Sequence, residues 1–424
     1  MNESALTVGF DVTWFQQENM SGGVYQYALR LMRALVEHTD VSVIAITGAA
    51  GCPLPGLEGR KNYRAVNIKN DSLMEFVGRE GIEVIHSPIQ YFPNLTFSVP
   101  MISTLHDLQH IHSPEFFSRE ELDNRAVLYK QSAVFAERVI VSFQHVKNDI
   151  VAHYGIQADK IDVCLWGVDR PQVPDEASVR AAQKLHNVKA PYLFYSANTW
   201  RHKNHLGLIK AFNILRKRSG SDISLVCTGQ KLPDHFPVIE EELKKLGLEG
   251  SVRFTGYIPE ADVRALLKGA ALAVIPTLYE AGSFPLIEAM SFEVPVICSN
   301  VTSLPDTIGD ERFVFDPANA ESIADKISLM LNDERLRAEN IVNSKRRISS
   351  YGWENAAMNF VESYGKAAKN FALSEAILKE KMYAYELMSV QLNGRLRARN
   401  DALLNSMSWK ATAPLRAVVS LFKK

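Results

Sequence analysis

Val274-Ile275-Pro276-Thr277-Leu278-Tyr279-Glu280-Ala281-Gly282-Ser283-Phe284-Pro285-Leu286-Ile287-Glu288-Ala289-Met290 carries two carboxylates, Glu280 and Glu288, eight positions apart. Ala271 to Ile275 is an apolar run of strand length, and Pro285 suits the first turn of a helix, where its fixed φ and missing N–H cost little. Glu280 therefore falls in the loop between strand and helix. Glu288 falls about one turn inside the helix, leaning back toward that loop. A strand, a glycine-bearing loop and a helix N-terminus make an anion site, because unpaired backbone N–H groups and the helix dipole face one spot. Carboxylates there cannot hold phosphate, but they can accept hydrogen bonds from hydroxyls of a ligand whose phosphates rest on the amides. That pattern points to a ribose for one and a sugar for the other. The plainer reading is a helix-end acid at Glu288 and a solvated loop charge at Glu280.

The same strand, loop and helix pattern recurs along the chain. Leu6 to Phe10 is an apolar segment, followed by Met20-Ser21-Gly22-Gly23-Val24 and an amphipathic helix to about Glu37. Gly22 and Gly23 allow close approach of backbone to a ligand, although paired glycines before a helix also make an ordinary turn. Apolar segments at Val41 to Ile46, Val84 to His86, Met101 to Leu105 and Val139 to Ser142 follow, separated by helix-like or loop stretches. Such alternation predicts a parallel, doubly wound sheet, in which ligands sit beyond the carboxyl ends of the strands. His106-Asp107 falls at one such end, which makes His106 a candidate contact or proton donor; the alternative is a satisfied structural histidine.

A last strand near Ile161 to Arg170 leads into the proline-bearing connector Pro171-Gln172-Val173-Pro174-Asp175. The boundary is placed there, giving a first unit over 1–172 and a second over 173–350. The second unit restarts the pattern with a strand at Tyr192 to Ser196, then the polar loop Ala197 to His205 before a helix from Leu206 to Arg218. Arg201 and Lys203 in that loop are suited to a pyrophosphate, Arg as a fork and Lys as a point charge, against the alternative of a basic loop facing solvent. Strands at Ile223 to Thr228 and Val252 to Thr255 follow, and the turn Gly256-Tyr257-Ile258-Pro259 could offer backbone edges to a base. A helix from Ala261 to Gly269 leads to the strand before Glu280; Pro295 to Cys298 and Phe313 to Pro317 read as further strands.

Length and composition limit the class. A chain of 424 residues exceeds one ordinary core, and 46% hydrophobic content with a formal charge of −1 describes a soluble globular protein without a bias toward nucleic acid. Cys52, Cys164, Cys227 and Cys298 are scattered, so neither a disulfide framework nor a cysteine metal site is expected, and a reducing cytoplasm fits. The first ten residues lack a basic segment and a long apolar run, so no signal peptide is read, and no stretch reaches the roughly 18 apolar residues of a membrane span.

With Glu280 and Glu288 followed by Pro295-Val296-Ile297 and Ser303-Leu304-Pro305-Asp306, the sequence resembles the retaining glycosyltransferases of family four. The resemblance covers most of residues 6 to 365, through Gly22-Gly23, His106-Asp107, Trp200-Arg201-His202-Lys203-Asn204, Thr255-Gly256-Tyr257 and the glutamate pair. It implies an α/β GT-B fold, two Rossmann-like domains facing across a cleft. From the resemblance, Glu288 would bind the ribose of a nucleotide-sugar donor, and Glu280 would contact the transferred sugar, with Ser283 and Phe284 in the same loop and Tyr257 near the base. Lys203, helped by Arg201, would hold the diphosphate, Gly22 and Gly23 would close the donor site, and His106 would line the acceptor side. Where many members read Glu-Gly-Phe-Gly, this chain has Glu280-Ala281-Gly282-Ser283, which loosens the transfer of the donor-sugar contacts. The chain holds no Asp-x-Asp pair, so no metal and no further cofactor are expected; Lys203, Arg201 and helix-end amides take the place of a cation.

The end of the chain adds a crossover helix and a basic tail. Tyr351 to Ala357 opens a helix, assigned to 351–370, that in this fold crosses back to the first domain. Residues 365–424 hold eleven Lys or Arg against four Asp or Glu, and Leu378, Met382, Tyr385, Met388, Leu392 and Leu396 form an apolar helical stripe within the tail, 371–424. A basic amphipathic tail suits an anionic membrane surface, a partner enzyme or a second copy. Ser406 to Arg416 resembles tails of bacterial surface-polysaccharide glycosyltransferases. The expected protein is thus a cytoplasmic, membrane-peripheral, metal-independent hexosyltransferase using GDP-mannose and a glycan or lipid-linked acceptor, with no nucleic-acid partner. A nucleotide-sugar epimerase or phosphorylase of the same fold, and an inactive scaffold of that shape, stand as alternatives.

Overall fold

The computed structural model describes residues 5–15, 23–48, 54–68, 72–94, 96, 98–168, 172–220, 222–371 and 383. Gly22, Cys52 and nearly all of the basic tail lie outside the described residues.

Thirteen strands among these residues form two sheets. The first holds β1 (Thr7–Asp11), β2 (Ser42–Thr47), β3 (Tyr63–Asn67), β4 (Val84–Ser87), β5 (Met101–Thr104), β6 (Arg138–Val141) and β7 (Ile161–Val163) in the order 3-2-1-4-5-6-7, with parallel pairings throughout. The second holds β8 (Tyr192–Ser196), β9 (Ser224–Thr228), β10 (Val252–Phe254), β11 (Leu272–Ile275), β12 (Val296–Ser299) and β13 (Val314–Phe315) in the order 10-9-8-11-12-13, again parallel. Some central strands are apolar runs with every residue buried, such as Leu272–Ile275, as expected of a sheet covered on both faces. β3 was not legible in the sequence because Tyr63-Arg64-Ala65-Val66-Asn67 is an edge strand of partly exposed residues, with no apolar run to announce it.

Each sheet reverses its strand order at one place, between β1 and β4 in the first and between β8 and β11 in the second. At such a reversal the connections leave toward opposite faces and a crevice opens beyond the strand ends. Glu280 follows β11 and Lys203 follows β8, so both come from strands that flank the second reversal.

One apolar core packs around the second sheet, and two around the first, the smaller of them built on Ile44, Ile46, Phe76 and Ile85. The helix Glu176–Leu185 packs on Glu260–Lys268 of the second unit, so the chain has already passed to that unit before β8 begins. It returns through the helix Trp353–Asn370, which packs against the first-unit helix Gly23–His38. Phe360 and Tyr364 are fully buried in the larger core of the first sheet, at about 1.5–3 kcal/mol for each side chain removed from water. The Tyr364 hydroxyl lies 2.8 Å from His86 Nδ1, and Ser363 Oγ donates to Asp162 at 2.6 Å. Gly167 accommodates the return, since a Cβ there would lie 2.5 Å from Trp353. Among the described residues no helix is long and apolar enough to cross a membrane.

Candidate functional site

The loop after β8 is held by Asn204. Its backbone adopts φ 58°, ψ 38°, and its side-chain oxygen caps the helix His205–Ser219 through Gly207 N–H at 3.2 Å. The side-chain amide donates to the carbonyls of Pro276 and Pro317, each at 2.9 Å, so the β8 loop is stapled to the ends of the neighbouring connections. Leu278 N–H and the Thr277 hydroxyl both donate to the His202 carbonyl, at 2.7 and 3.0 Å. These bonds bring Lys203 against the β11 loop, where its Nζ lies 2.5 Å from Glu280 Oε2.

Glu280 is fixed from its other side. The Thr302 hydroxyl donates to the Glu280 carbonyl at 2.5 Å and Ser303 Oγ donates at 3.3 Å, while Glu280 N–H reaches Thr302 Oγ1 at 3.3 Å. Thr302 sits at φ 50°, a left-handed conformation that a β-branched residue rarely adopts. Strain of this kind is kept only where the surroundings fix it. Sequence reading missed Thr302 and Ser303 as supports. The one signal for them was a hydroxyl pair following an apolar strand.

The helix after Glu280 runs Phe284–Ser291, with Ser283 as N-cap and Pro285 in its first turn. Ser283 is fully buried and its Oγ accepts from Leu286 N–H at 3.4 Å, so its side chain serves the helix end. Burial holds the Glu288 carboxyl above the usual carboxylate range; Arg264 and Arg30 act against this shift and Glu260 adds to it. Arg30 belongs to the first unit and also lies 5.8 Å from the Phe284 ring. Glu288 therefore faces the meeting line of the two units, with no hydrogen bond or ion pair from its side chain among the described residues.

A cavity of about 210 Å³ lies between the units, lined by Gly23, Tyr27, His106 and Trp166 on one side and by Ala281, Gly282 and Phe284 on the other. Drug-sized pockets run to about 300–1,000 Å³, so this space suits one small ring. Trp166 and Phe284 approach within 4.4 Å, centroid to centroid. Gly282 presses on Phe143: a Cβ there would meet the ring at 2.6 Å, a close approach that only glycine permits. His106 Nε2 lies 3.0 Å from the Pro88 carbonyl, which can only accept, so Nε2 carries the proton and Nδ1 keeps its lone pair. Burial pushes the ring's pKa down to about 4, leaving it neutral near pH 7. That tautomer offers an acceptor for a hydroxyl, where the sequence left a proton donor open.

Two other candidates stand apart from the Lys203–Glu280 pair. Arg201 is exposed and lines a second cavity of about 530 Å³, with Trp200 and His202 facing Phe116, Phe117 and Glu115 of the first unit. No hydrogen bond or ion pair joins it to Lys203 or Glu280 among the described residues. Tyr257 is 86% exposed on its turn, and the Gly256 carbonyl is taken by Gly229 N–H at 3.0 Å.

A model described as Glycosyltransferase Family 4 matches residues 21–171, and one described as Glycosyl transferases group 1 matches residues 179–347. Together they cover β2 to β13 in order. The chain belongs to this glycosyltransferase family. The O-antigen chain mannosyltransferase B of Escherichia coli is 23% identical over 368 residues, covering 81% of this chain and 95% of the relative. The serotype-specific mannosyltransferase WbdA of Escherichia coli is 22% identical and matches over 83% of this chain but only 45% of its own length. Among solved structures, Anabaena Alr3699/HepE in complex with UDP and glucose superposes with a TM-score of 0.66 at 17% identity, covering 85% of this chain and 99% of that one. The glycosyltransferase described here therefore has the GT-B fold. His106 lines the small cavity between the two units, and the Lys203–Glu280 pair stands in the loops that follow β8 and β11.

Proposed function

We propose that this glycosyltransferase moves a mannosyl unit, with retention at the anomeric carbon, from GDP-mannose to a growing surface glycan or its lipid-linked precursor. The observation that carries the reading is the Lys203–Glu280 pair at the second strand-order reversal. Lys203 has three N–H donors, so it can hold Glu280 and a diphosphate oxygen together and neutralise the leaving nucleotide. Glu280 takes hydroxyls of the transferred sugar, and Glu288 takes those of the ribose. His106 Nδ1 accepts from a hydroxyl in the small cavity between the units. The wider groove beside it exposes the rings of Phe116, Phe117 and Trp200, the kind of surface against which an acceptor sugar stacks.

No protein carboxylate is assigned as a covalent nucleophile. Transfer is a front-side displacement in which the leaving phosphate draws the proton from the acceptor hydroxyl while the new glycosidic bond forms on the same face. No metal ion is assigned to the diphosphate, whose charge falls to Lys203 and to backbone amides at helix ends. The choice of mannose rests on the two mannosyltransferase relatives.

A thermal-shift screen of GDP, UDP, ADP and their sugars tests the donor, because a ligand that binds only the folded state raises apparent stability by mass action. GDP and GDP-mannose are expected to give the largest shifts. A larger shift with UDP and its sugars overturns the donor assignment. Slow release of GDP from GDP-mannose without acceptor excludes an inactive scaffold, whereas conversion of the donor to an isomeric nucleotide sugar would favour an epimerase.

A further inference from the structure

Among the described residues, one group of side chains able to ligate a metal lies apart from the Lys203–Glu280 pair. His112 ends the short helix Gln109–His112, and Asp149 and His153 stand one turn apart on the helix Gln144–Tyr154. Their donor atoms all lie within 4.8 Å of one another, and His112 Nε2 is 2.7 Å from Asp149 Oδ2. Four ligands around a zinc-class ion at bonds of about 2.0–2.1 Å stand about 3.3 Å apart, so a small rotation of these side chains closes the set. Residues four apart present ligands on one helix face, as the paired histidines of helical zinc sites do.

Two neighbours strengthen the case. Asp107 is close enough to interact electrostatically with both Asp149 and His112, as well as with Arg125. His145, one turn before Asp149 on the same helix face, interacts with Asp149 and His112, and its two buried ring nitrogens have no hydrogen-bond partner among the described residues. Two imidazoles and a carboxylate favour a borderline-soft cation over Mg²⁺ or Ca²⁺, which take oxygen ligands.

We infer that His112, Asp149 and His153 bind one divalent transition-metal ion of the Zn²⁺ class on the rim of the cleft. The ion joins two helices of the first unit and fixes His112, whose ring stacks on Tyr279 at 5.8 Å and 28°. Tyr279 directly precedes Glu280, so the bound ion braces the wall on which the donor loop rests. No ligand of the ion belongs to the Lys203–Glu280 pair, and the proposed transfer does not pass through it.

Equilibrium dialysis of the tag-free full chain against Zn²⁺ at neutral pH tests the site, with Co²⁺ as a spectroscopic probe. One ion per chain is expected. His153→Gln, at an exposed position, and Asp149→Asn are each expected to weaken binding at least tenfold and to abolish the visible Co²⁺ band of a histidine-rich site, with unchanged far-ultraviolet circular dichroism. Zn²⁺ should raise the melting temperature of the unaltered chain and not that of either variant. Absence of bound Zn²⁺ in the unaltered chain, or equal affinity and the same Co²⁺ band in both variants, would overturn the assignment.

Discussion

Lys203 and Glu280 are 77 residues apart and meet with 2.5 Å between Nζ and Oε2, their side chains 17% and 14% exposed. A pair so enclosed adds little net stability, because desolvation offsets the attraction, yet removing one partner strands the other charge at a cost of about 3–5 kcal/mol. The pair is better explained as preorganisation. A lysine held in place before the diphosphate arrives needs no rearrangement when charge develops on the leaving group.

Lys203→Ala is therefore expected to lower kcat by about 10²–10³-fold, with a smaller change in nucleotide affinity, and to lower the melting temperature through the stranded Glu280. Steady-state kinetics alongside melting curves separate the two effects. A kcat within threefold of the unaltered enzyme would remove Lys203 from the leaving group.

Glu288 gives a pH prediction. Burial raises its pKa, and in the proposed donor complex the ionised carboxylate is the form that accepts ribose hydroxyls. As pH falls through that raised pKa the carboxylate protonates and nucleotide binding weakens, beginning at a higher pH than the ordinary glutamate value of about 4.3 implies. Calorimetry across the acid range should show this slope in the unaltered enzyme. In Glu288→Gln binding should be weaker and flat; an identical slope in both would place the titrating group elsewhere.

Gly282→Ala tests whether the two units meet in solution as they do here. The new Cβ meets Phe143 at 2.6 Å, and overpacking of this kind costs about 1–3 kcal/mol. Turnover should fall, and Phe143→Leu in the same chain should restore part of it. If Gly282→Ala alone changes neither melting temperature nor turnover, the closed contact is not the working one.

Chelator treatment separates the proposed rim ion from the chemistry. Turnover measured after EDTA should survive, since the proposed transfer gives the diphosphate charge to Lys203, while stripping the rim ion should lower only the melting temperature. Complete loss of activity, restored by Mg²⁺ or Mn²⁺, would contradict the metal-independent reading.

Truncation after Asn370 should reduce partition of the enzyme onto anionic vesicles, with the effect screened by salt over a Debye length of about 10 Å at 0.1 M. Unchanged sedimentation with the vesicles would take that role from the basic tail.

The elements and their alternation follow from residue pattern alone. Buried parallel strands read as continuous apolar runs, so Tyr192–Ser196 and Leu272–Ile275 were legible, as was the helix start signalled by Pro285. β3 was not, because an edge strand has only one neighbour and need not be apolar. The residue types suited to a nucleotide sugar were legible as well, but not which of them meet. Arg201 and Lys203, two positions apart, were both assigned to one diphosphate from the sequence; folding turns Arg201 to a solvent-facing groove and Lys203 onto Glu280. The reason is Asn204, whose left-handed turn and two long-range bonds fix the direction of Lys203, and no local pattern encodes a bond to Pro276 or Pro317. The opposing wall, with Phe143 against Gly282 and His112 under Tyr279, depends likewise on the crossover helix Trp353–Asn370, which ties the second unit's return to the first unit's core. Periodicity reports which face of an element is buried. Only the packing of one unit on the other decides what that face meets.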